Sequence, residues 1–158
     1  MITILCVGKL KEKSLYQLCG EYIKRLTRYA SVTVTEVPNL PEPRYITEDS
    51  LERMRLEEGR VVLRRIRQRD YVIALCVEGG RIDSEAFADR LEALKQAGRS
   101  DITFIIGGSA GLSAQVKARA DTALSLSALT FPHGLARLVL LEQLYRAHKI
   151  IAGERYHK

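Results

Sequence analysis

The sequence has no long uninterrupted apolar segment. Its two longest stretches without a formal charge cover residues 102–116 and 122–136, each 15 residues long and each broken by glycine, serine or proline. A membrane-spanning helix needs roughly 20 mostly apolar residues, so we expect no such helix. The N-terminal apolar run Ile2–Val7 is too short for a signal peptide and lacks a basic lead-in, so we expect no secretion signal.

Cysteine is also scarce. Cys6, Cys19 and Cys76 are odd in number and show no Cys-x-x-Cys spacing, which argues against a zinc site and against a disulfide framework. Cys6 and Cys76 lie in apolar runs, where a free thiol acts as a small hydrophobic group. The pattern predicts a protein of a reducing, cytoplasmic setting that holds no metal.

The remaining composition is sufficient for one folded domain. Of the 158 residues, 46% are hydrophobic and 28% are charged, a balance that excludes intrinsic disorder and predicts a single domain over residues 1–158. Lys and Arg number 25 against 19 Asp and Glu, so the formal net charge is +6. This surplus favours acidic partners such as nucleic acid, but it does not identify one.

Strand-like and helix-like segments alternate along the chain. The predicted strands are Ile2–Val7, Ser31–Val37, Tyr71–Val77, Asp101–Ile106 and Ala123–Ser127. The predicted helices are Ser14 (as N-cap) to Leu26, Glu48–Arg67, Ser84–Gln96, Ser113–Ala120 and Leu135–Ala152. A turn is predicted at Glu78–Arg81. The alternation predicts an α/β domain with a mainly parallel sheet.

Three glycines lie between a predicted strand and a predicted helix, in the glycine loop Ile106–Ser113. Such a loop lets backbone amides approach a ligand closely, and the following helix N-terminus favours negative charge. The spacing matches neither the Gly-x-Gly-x-x-Gly dinucleotide fingerprint nor the Gly-Lys-Ser/Thr ending of a P-loop. Two interpretations stay open, a tight strand–helix turn and a cofactor or phosphate loop.

The segment Leu126–His133 joins the last predicted strand to the last predicted helix. It suits a pocket for a flat neutral ring, because backbone groups can bind the edge of the ring while Leu and Phe side chains cover its faces. A plain connection is the alternative interpretation. His133 either caps the helix or lies in such a site.

The last predicted helix is apolar on nearly all sides. At about 100° per residue, one broad apolar arc contains Leu138, Leu140, Leu141, Leu144, Tyr145 and Ile151. A small domain has little room to enclose such a helix, so we expect a homodimer interface there. Arg137 falls inside the arc. It either meets a carboxylate, a phosphate or a ligand across that interface, or extends its guanidinium past the rim into solvent.

Basic residues line one side of the second predicted helix. The members of this arginine stripe lie within about 60° of one another on a helical wheel and are Arg53, Arg60, Arg64 and Arg67. Four guanidinium groups on one line suit a nucleic-acid backbone. Glu57 interrupts the stripe, and a solvated helix face is the alternative interpretation.

The tail after the last predicted helix is short and polar, and such tails ordinarily fray. Its last three residues, Tyr156, His157 and Lys158, nevertheless combine a stacking ring, a proton acceptor and a cation. Disorder and a functional tail therefore both remain possible interpretations of the composition.

Several segments, taken together, resemble one protein family. They are Ile4–Lys13, the glycine loop, Leu126–His133, and the ending Arg137–Lys158 with its motifs Leu141–Ala147 and Gly153–Lys158. In this order they resemble the ribosomal RNA large subunit methyltransferase H family, whose proteins are small members of the SPOUT superfamily. The resemblance runs nearly end to end, and it is loose only over residues 38–70.

The resemblance implies a single-domain, SPOUT-type parallel-sheet sandwich with a C-terminal trefoil knot, assembled as a homodimer. It also implies an S-adenosylmethionine-dependent enzyme that methylates N3 of a pseudouridine in large-subunit (23S) ribosomal RNA on the assembled ribosome. Two alternatives stay open: a non-catalytic ribosome- or RNA-binding module of the same fold, and a SPOUT methyltransferase that acts on transfer RNA. The resemblance implies neither a metal nor a membrane.

The resemblance also places family roles on matching positions of this chain. It implies a cofactor pocket at Leu75, Gly107, Gly108, Leu126, Ser127, Ala128, Leu129, Thr130 and Phe131. It implies that Arg137, Tyr156 and His157 face the nucleotide from a side shared with the partner. We predict neutral His157 as the base and Arg137 or Lys158 as the group that stabilises negative charge. Recognition of RNA would then fall to the dimer, Lys158 and the arginine stripe.

Overall fold

A parallel β-sheet runs through the middle of the protein and carries helices on both faces. The computed structural model describes residues 1–156, and His157 and Lys158 lie outside the described residues. The elements in chain order are β1 (Ile2–Val7), α1 (Lys13–Leu26), β2 (Val32–Val37), α2 (Glu48–Arg65), β3 (Tyr71–Gly80), α3 (Ser84–Gln96), β4 (Ile102–Ile106), α4 (Ala114–Arg119), β5 (Thr122–Leu124) and α5 (His133–Ile151). The predicted α/β class is confirmed. Within residues 1–156, no helix is sufficiently long and apolar to cross a membrane.

The five strands are parallel and lie in the order β2-β1-β4-β3-β5. Ile4 of β1 pairs with Val34 of β2 on one side and with Phe104 of β4 on the other. β4 is buried along its whole length because helices cover both of its faces. Since every strand runs the same way, the loops that follow the strands all emerge at one edge of the sheet.

Two hydrophobic cores hold these layers together, because successive residues of a strand point to opposite faces of the sheet. On one face, Phe104 packs within a cluster that includes residues of α1, α3 and α5. On the other face, Leu5 and Ile105 pack with Val62 of α2 and Val116 of α4. Burying each large apolar side chain contributes about 1.5–3 kcal/mol to the stability of the fold. The sheet is therefore well ordered and holds the loops at its edge in fixed positions.

The N-terminus of α1 differs from its prediction. The helix begins at Lys13, and its N-cap residue is Glu12, whose side chain forms no capping hydrogen bond. Ser14 lies inside the first turn, so its predicted role as N-cap is wrong. The Tyr16 N–H donates to Glu12 O (2.9 Å), which starts the helix through the backbone alone.

Strand β3 is longer than the sequence predicts, and it continues to Gly80. The predicted turn at Glu78–Arg81 is therefore wrong for its first three residues. The extension pairs with β5 after a register shift, so that Leu75 and Gly80 both pair with Leu124. The chain leaves the sheet at Ser125, whose N–H donates to Gly80 O (2.9 Å), and β5 is correspondingly short.

Helix α2 ends at Arg65, two residues before its predicted end. Ile66 has an extended backbone (φ −82°, ψ 126°), which stops the helix. Arg67 therefore lies beyond α2, and a helical wheel does not describe the direction of its side chain. At the other end, a reciprocal capping box between Thr47 and Ser50 fixes where α2 begins.

Helix α5 lies against the sheet and packs on both α1 and α3. Leu140, Leu141 and Leu144 are fully buried within the single chain. The single chain thus buries one side of the helix, but Leu138, Val139 and Ile150 are only half-buried, so the helix is not fully enclosed, as expected for so small a domain. Leu135, near the start of α5, is 37% exposed, so some apolar surface of the helix remains uncovered.

Candidate functional site

A cleft opens at the edge of the sheet where the parallel strands end. It has a volume of about 950 Å³ and is bounded by the end of β3, the glycine loop and the segment that joins β5 to α5. Crevices at the carboxyl ends of strands are the usual ligand sites of open α/β sheets. Eight predicted cofactor residues line it: Leu75, Gly107, Gly108, Leu126, Ser127, Leu129, Thr130 and Phe131. Ala128, also predicted, is exposed and lies outside the lining.

The glycine loop needs glycine for its own packing. A Cβ added at Gly108 would lie 3.1 Å from both Glu58 Oε2 and Val7 Cγ1, closer than nine in ten real Cβ contacts, so these neighbours would have to shift. Gly111 has a φ of 83°, which side chains other than hydrogen strongly disfavour. Its N–H donates to Gly108 O (3.1 Å) and closes a turn. The loop is thus a tight strand–helix turn that also lines the cleft.

The segment between β5 and α5 leaves backbone groups available to the cleft. Ser125 Oγ donates to Ser127 O (2.8 Å), and the Leu129 N–H donates to Ser127 Oγ (2.9 Å). Within the part of the chain that the structure describes, no other N–H of residues 126–131 has a hydrogen-bond partner. Leu126 and Phe131 are half-buried beside these groups. The segment therefore offers free donors next to apolar side chains, the combination predicted for a ring pocket.

Two charge pairs flank the cleft, and the sequence analysis missed both. On α2, Arg55 forms an ion pair with Glu52 (2.8 Å) and donates to Ala110 O of the glycine loop (3.4 Å). On the other side, Lys117 of α4 is paired with Glu78 of β3. A Glu and an Arg three residues apart are common on helices, so this spacing alone does not indicate a site. The Arg55–Glu52 pair reaches the glycine loop only through the tertiary fold, which the sequence does not show.

Among the described residues, one buried carboxyl group without a cationic partner lies against the glycine loop and does not line the cleft. Glu58 is 3% exposed. Its Oε1 accepts a hydrogen bond from the Leu40 N–H (2.9 Å), whereas its buried Oε2 has no partner among the described residues. Burial raises the pKa of Glu58, and the Leu40 N–H opposes that rise. The sequence gives no signal for this residue, because its burial depends on long-range packing.

Arg137 is buried and meets a carboxylate of its own chain. Its Nη1 lies 2.7 Å from Glu36 Oε1, and its Nη2 donates to Gly8 O (3.3 Å). The same Glu36 oxygen accepts the Leu10 N–H (2.9 Å). Burial alone would raise the pKa of Glu36, but the hydrogen bonds from Arg137 and Leu10 hold it below its usual value. Of the predicted alternatives, the structure shows a carboxylate partner, although not across an interface. Arg137 does not line the cleft.

Comparison with known proteins identifies the family. A family model described as "Predicted SPOUT methyltransferase" matches residues 1–157. Proteins named "Ribosomal RNA large subunit methyltransferase H" from Alkaliphilus oremlandii (strain OhILAs) and Shouchella clausii (strain KSM-K16) are each 50% identical to this chain over 157 residues, covering 99% of both sequences. The chain belongs to the ribosomal RNA large subunit methyltransferase H family of SPOUT methyltransferases. The resemblance drawn from the sequence motifs is confirmed.

A solved structure shares the overall fold of this chain. A probable methylase family protein from Haemophilus influenzae Rd KW20 superposes with a TM-score of 0.55, covering 99% of this chain and 70% of that chain. The two sequences are only 13% identical, so this likeness concerns the fold alone. A further family member of the same printed name, from Lactiplantibacillus plantarum, is 46% identical over 157 residues.

The described part of this SPOUT chain ends at Tyr156, whose ring packs on α5. The Tyr145 ring meets it edge-on at 5.0 Å between centroids, and the Arg146 guanidinium lies 4.8 Å from its centroid. Tyr156 also donates to Glu142 Oε1 (3.3 Å), and burial raises the pKa of Tyr156 to about 12. Tyr156 does not line the cleft of its own chain. Its predicted role stays a prediction, as does that of His157, which lies outside the described residues.

The arginine stripe is shorter than predicted. Its exposed members on the outer face of α2, without an ion pair among the described residues, are Arg53, Arg60 and Arg64. Arg67 lies beyond the helix and is paired with Asp70 (2.9 Å) and Asp101 (3.7 Å). The helical-wheel placement of Arg67 on the stripe is wrong, because the helix ends at Arg65, whereas its predicted contact with RNA stays a prediction. Lys158, the other predicted RNA contact, lies outside the described residues.

The described residues hold no cluster of metal ligands. Over residues 1–156, no group of three or more His, Cys, Asp or Glu side chains is placed to hold a metal ion. Cys6, Cys19 and Cys76 are all free thiols.

Proposed function

We propose that this chain transfers a methyl group from S-adenosylmethionine to N3 of a pseudouridine in large-subunit (23S) ribosomal RNA. The observation that carries the proposal is end-to-end identity of 50% with relatives named for large-subunit ribosomal RNA methylation. The cleft at the carboxyl ends of β3 and β4 provides a site for that reaction. The substrate would be the assembled ribosome, which places the reaction in the cytoplasm.

The residues of the cleft fit the methyl donor. When bound, S-adenosylmethionine supplies an electrophilic methyl group on a positively charged sulfur. Leu75, Leu126 and Phe131 supply apolar surface for the faces of an adenine ring. The free N–H groups of residues 126–131 suit the polar edge of that ring and the ribose hydroxyls. Gly107 and Gly108 form the wall that faces them across the cleft.

The acceptor nitrogen carries a proton that must leave. The N3–H of pseudouridine is only weakly acidic and is largely protonated at neutral pH, so a base or an anion-stabilising group is needed. We assign the base to neutral His157 and a stacking or hydrogen-bonding contact to Tyr156. Arg137 or Lys158 would stabilise negative charge on the ring oxygens. The engagement of Arg137 by Glu36 favours Lys158 for this last role.

We further propose that the active unit is a homodimer. The ring of Tyr156 packs against α5 and does not line the cleft of its own chain. If the C-terminal tail contacts the substrate, it would therefore do so at the cleft of the partner subunit. Apolar side chains near the cleft are available to cover such an interface, with Leu129 71% exposed and Leu135 37% exposed. The C-terminal trefoil knot is proposed from family membership alone. General rules of chain topology disfavour knots and therefore give no independent support for it.

A methyl-transfer assay tests the proposal directly. Labelled S-adenosylmethionine is supplied with assembled ribosomes, free large-subunit RNA and bulk transfer RNA in parallel. We expect label in ribosomes alone, at a pseudouridine N3. Label in transfer RNA would keep the fold and the methyl donor but overturn the proposed substrate. Absence of both label and S-adenosylmethionine binding would support the alternative of a non-catalytic RNA-binding module.

A further inference from the structure

The carboxyl group of Glu58 lies directly against the wall of the cleft. A Cβ built on Gly108 would sit 3.1 Å from Glu58 Oε2 and 3.5 Å from Oε1, so both oxygens face the Cα of this glycine. Gly108 itself lines the cleft. One glycine residue therefore separates the carboxyl group from the ligand space, and a larger residue at this position would require Glu58 or Val7 to shift.

Among residues 1–156, no cationic side chain forms an ion pair with this carboxyl group. It faces Val7 of β1, Leu40 of the preceding loop and Gly108, none of which is charged. On α2 itself, Arg55 is engaged by Glu52 and by Glu48.

Within the part of the chain that the structure describes, the elements packed on α2 supply no unpaired cation to it either. On α4, which packs against α2, Lys117 is paired with Glu78, and Arg119 with Asp121 (3.5 Å). His133 of α5 lies against Gly8 and forms no ion pair with Glu58.

Ionising a buried carboxyl group that has no cationic partner is unfavourable. A positively charged ligand in the cleft would stabilise the ionised carboxylate while it is bound. The reaction in the proposed function uses a donor with a positively charged sulfur and leaves a product, S-adenosylhomocysteine, whose sulfur is neutral. Charge interactions through the protein are weakly screened, so a carboxylate behind Gly108 distinguishes these two ligands although it touches neither.

We propose that Glu58 is a specificity-determining residue that makes the cleft prefer the cationic methyl donor over its neutral product. This inference rests on the proposed function and deepens it. Binding of the cationic donor favours ionisation of Glu58, and ionisation of Glu58 raises the affinity for the cationic donor. The two effects are equal in free energy because coupling between two binding events is reciprocal. Loss of the positive charge on methyl transfer then weakens the hold on the product.

The test compares the affinities of the two ligands by isothermal titration calorimetry. The variant Glu58→Gln keeps the shape of the side chain and an acceptor for the Leu40 N–H, but it cannot ionise. We expect its affinity for S-adenosylmethionine to fall about fivefold while its affinity for S-adenosylhomocysteine stays within about twofold of wild type. The matched control is Glu57→Gln, which removes the same charge from the exposed face of the same helix and should leave the ratio of affinities unchanged.

The pH dependence separates an electrostatic role from a structural one. In wild type, the preference for the donor should grow as pH rises above the usual carboxyl value of 4.5, because Glu58, whose pKa burial raises, becomes ionised. In Glu58→Gln that growth should be absent. Both ligands carry a titrating amino group, and Glu52, Glu78, Lys117 and His133 line the cleft in both proteins. Their contributions cancel in the comparison.

Three results would overturn the inference: equal loss of affinity for both ligands, the same shift in Glu57→Gln, or a preference that does not change with pH in wild type. If Glu58→Gln fails to fold, Glu58→Met, which carries no charge and has nearly the same length, replaces it in both the affinity comparison and the pH series. Failure of the proposed function is distinguishable, because wild type would then bind no S-adenosylmethionine or would label no RNA.

Discussion

At the scale of single residues, the guanidinium of Arg137 connects three segments that are far apart in sequence. It joins Glu36 at the end of β2, Gly8 after β1 and its own helix α5, and Glu36 also holds the Leu10 N–H. These contacts fix how the loop after β1 lies against the start of α5. A residue predicted to serve substrate is thus also a structural connection.

We expect Arg137→Ala to destabilise the fold by about 2–3 kcal/mol. Removing one member of a buried pair leaves the other without its partner, although the Glu36 side chain is 30% exposed and can regain some water. Urea denaturation at neutral pH measures the change. Arg146→Ala is the comparison, since Arg146 pairs with Glu142 at a more exposed site and should cost less. Equal losses in the two variants would contradict the assigned role.

The same ion pair predicts a dependence on acid. Because the pKa of Glu36 is lowered in the folded protein, its contribution to stability is fully present above the usual carboxyl value of 4.5 and is lost as pH falls below it. The difference in unfolding free energy between wild type and Arg137→Gln should therefore shrink between neutral pH and about pH 3. If the difference in unfolding free energy between the two proteins stayed constant across that pH range, the Arg137–Glu36 ion pair would not be what lowers the pKa of Glu36.

At the scale of elements, α2 presents two faces with separate tasks. Its inner face meets the glycine loop through Arg55 and Glu58, and it meets the N-cap of α4, Ser113, at Gly59. Its outer face carries the exposed arginines. A change on one face need not disturb the other.

We expect Gly59→Ala to destabilise the protein by about 1–2 kcal/mol, although alanine usually favours a helix. The added methyl group would collide with Ser113 Oγ, and displacing that oxygen breaks the cap of α4. Thermal unfolding compares it with Gly20→Ala in α1, where a Cβ meets nothing within 4 Å and should stabilise by up to about 1 kcal/mol. In a Ser113→Gly background, the penalty at position 59 should largely disappear.

We expect replacement of the three exposed stripe arginines by glutamine to weaken ribosome binding and to reduce its dependence on salt, because each phosphate contact releases counterions. S-adenosylmethionine affinity should be unchanged. Pelleting with ribosomes at several salt concentrations measures the first effect. The control replaces Lys24, Lys95 and Arg99, exposed residues on or next to α1 and α3. An equal effect from the control would mean that net charge alone, and not the stripe, drives binding.

At the scale of the whole molecule, sequence reasoning succeeds where the signal is local. The buried runs of β1 and β4 and the glycine loop are recognisable because strand, turn and helix signals follow one another within a few residues. Since parallel strands end at one edge, the cleft follows from that alternation. The predicted arginine stripe does not extend to Arg67, because the extended backbone of Ile66 ends the helix before it. A carboxylate was among the partners predicted for Arg137, but its identity as Glu36 and the burial of Glu58 depend on tertiary packing, which the sequence does not show.

The proposed dimer predicts complementation between defective chains. Leu126→Arg should block the cleft, and His157→Ala should remove the proposed base, so each homodimer should be inactive. If the tail serves the cleft of the partner, co-expression should restore activity in mixed dimers, with about one quarter of all sites intact under random pairing. Label transfer to ribosomes measures this, and light scattering checks the mass. Folded mixed dimers without activity would show that each tail serves its own cleft.

Two of the cysteines give the protein built-in chemical reporters. Cys76 lines the cleft and is half-buried, whereas Cys6 is fully buried in β1, where burial raises its pKa to about 11. Because the thiolate is the form that reacts, an alkylating reagent should modify Cys76 in the native protein and Cys6 only after the sheet opens. The rates at the two thiols would then report occupancy of the cleft and global opening of the fold in one mass-spectrometric experiment, with no attached dye.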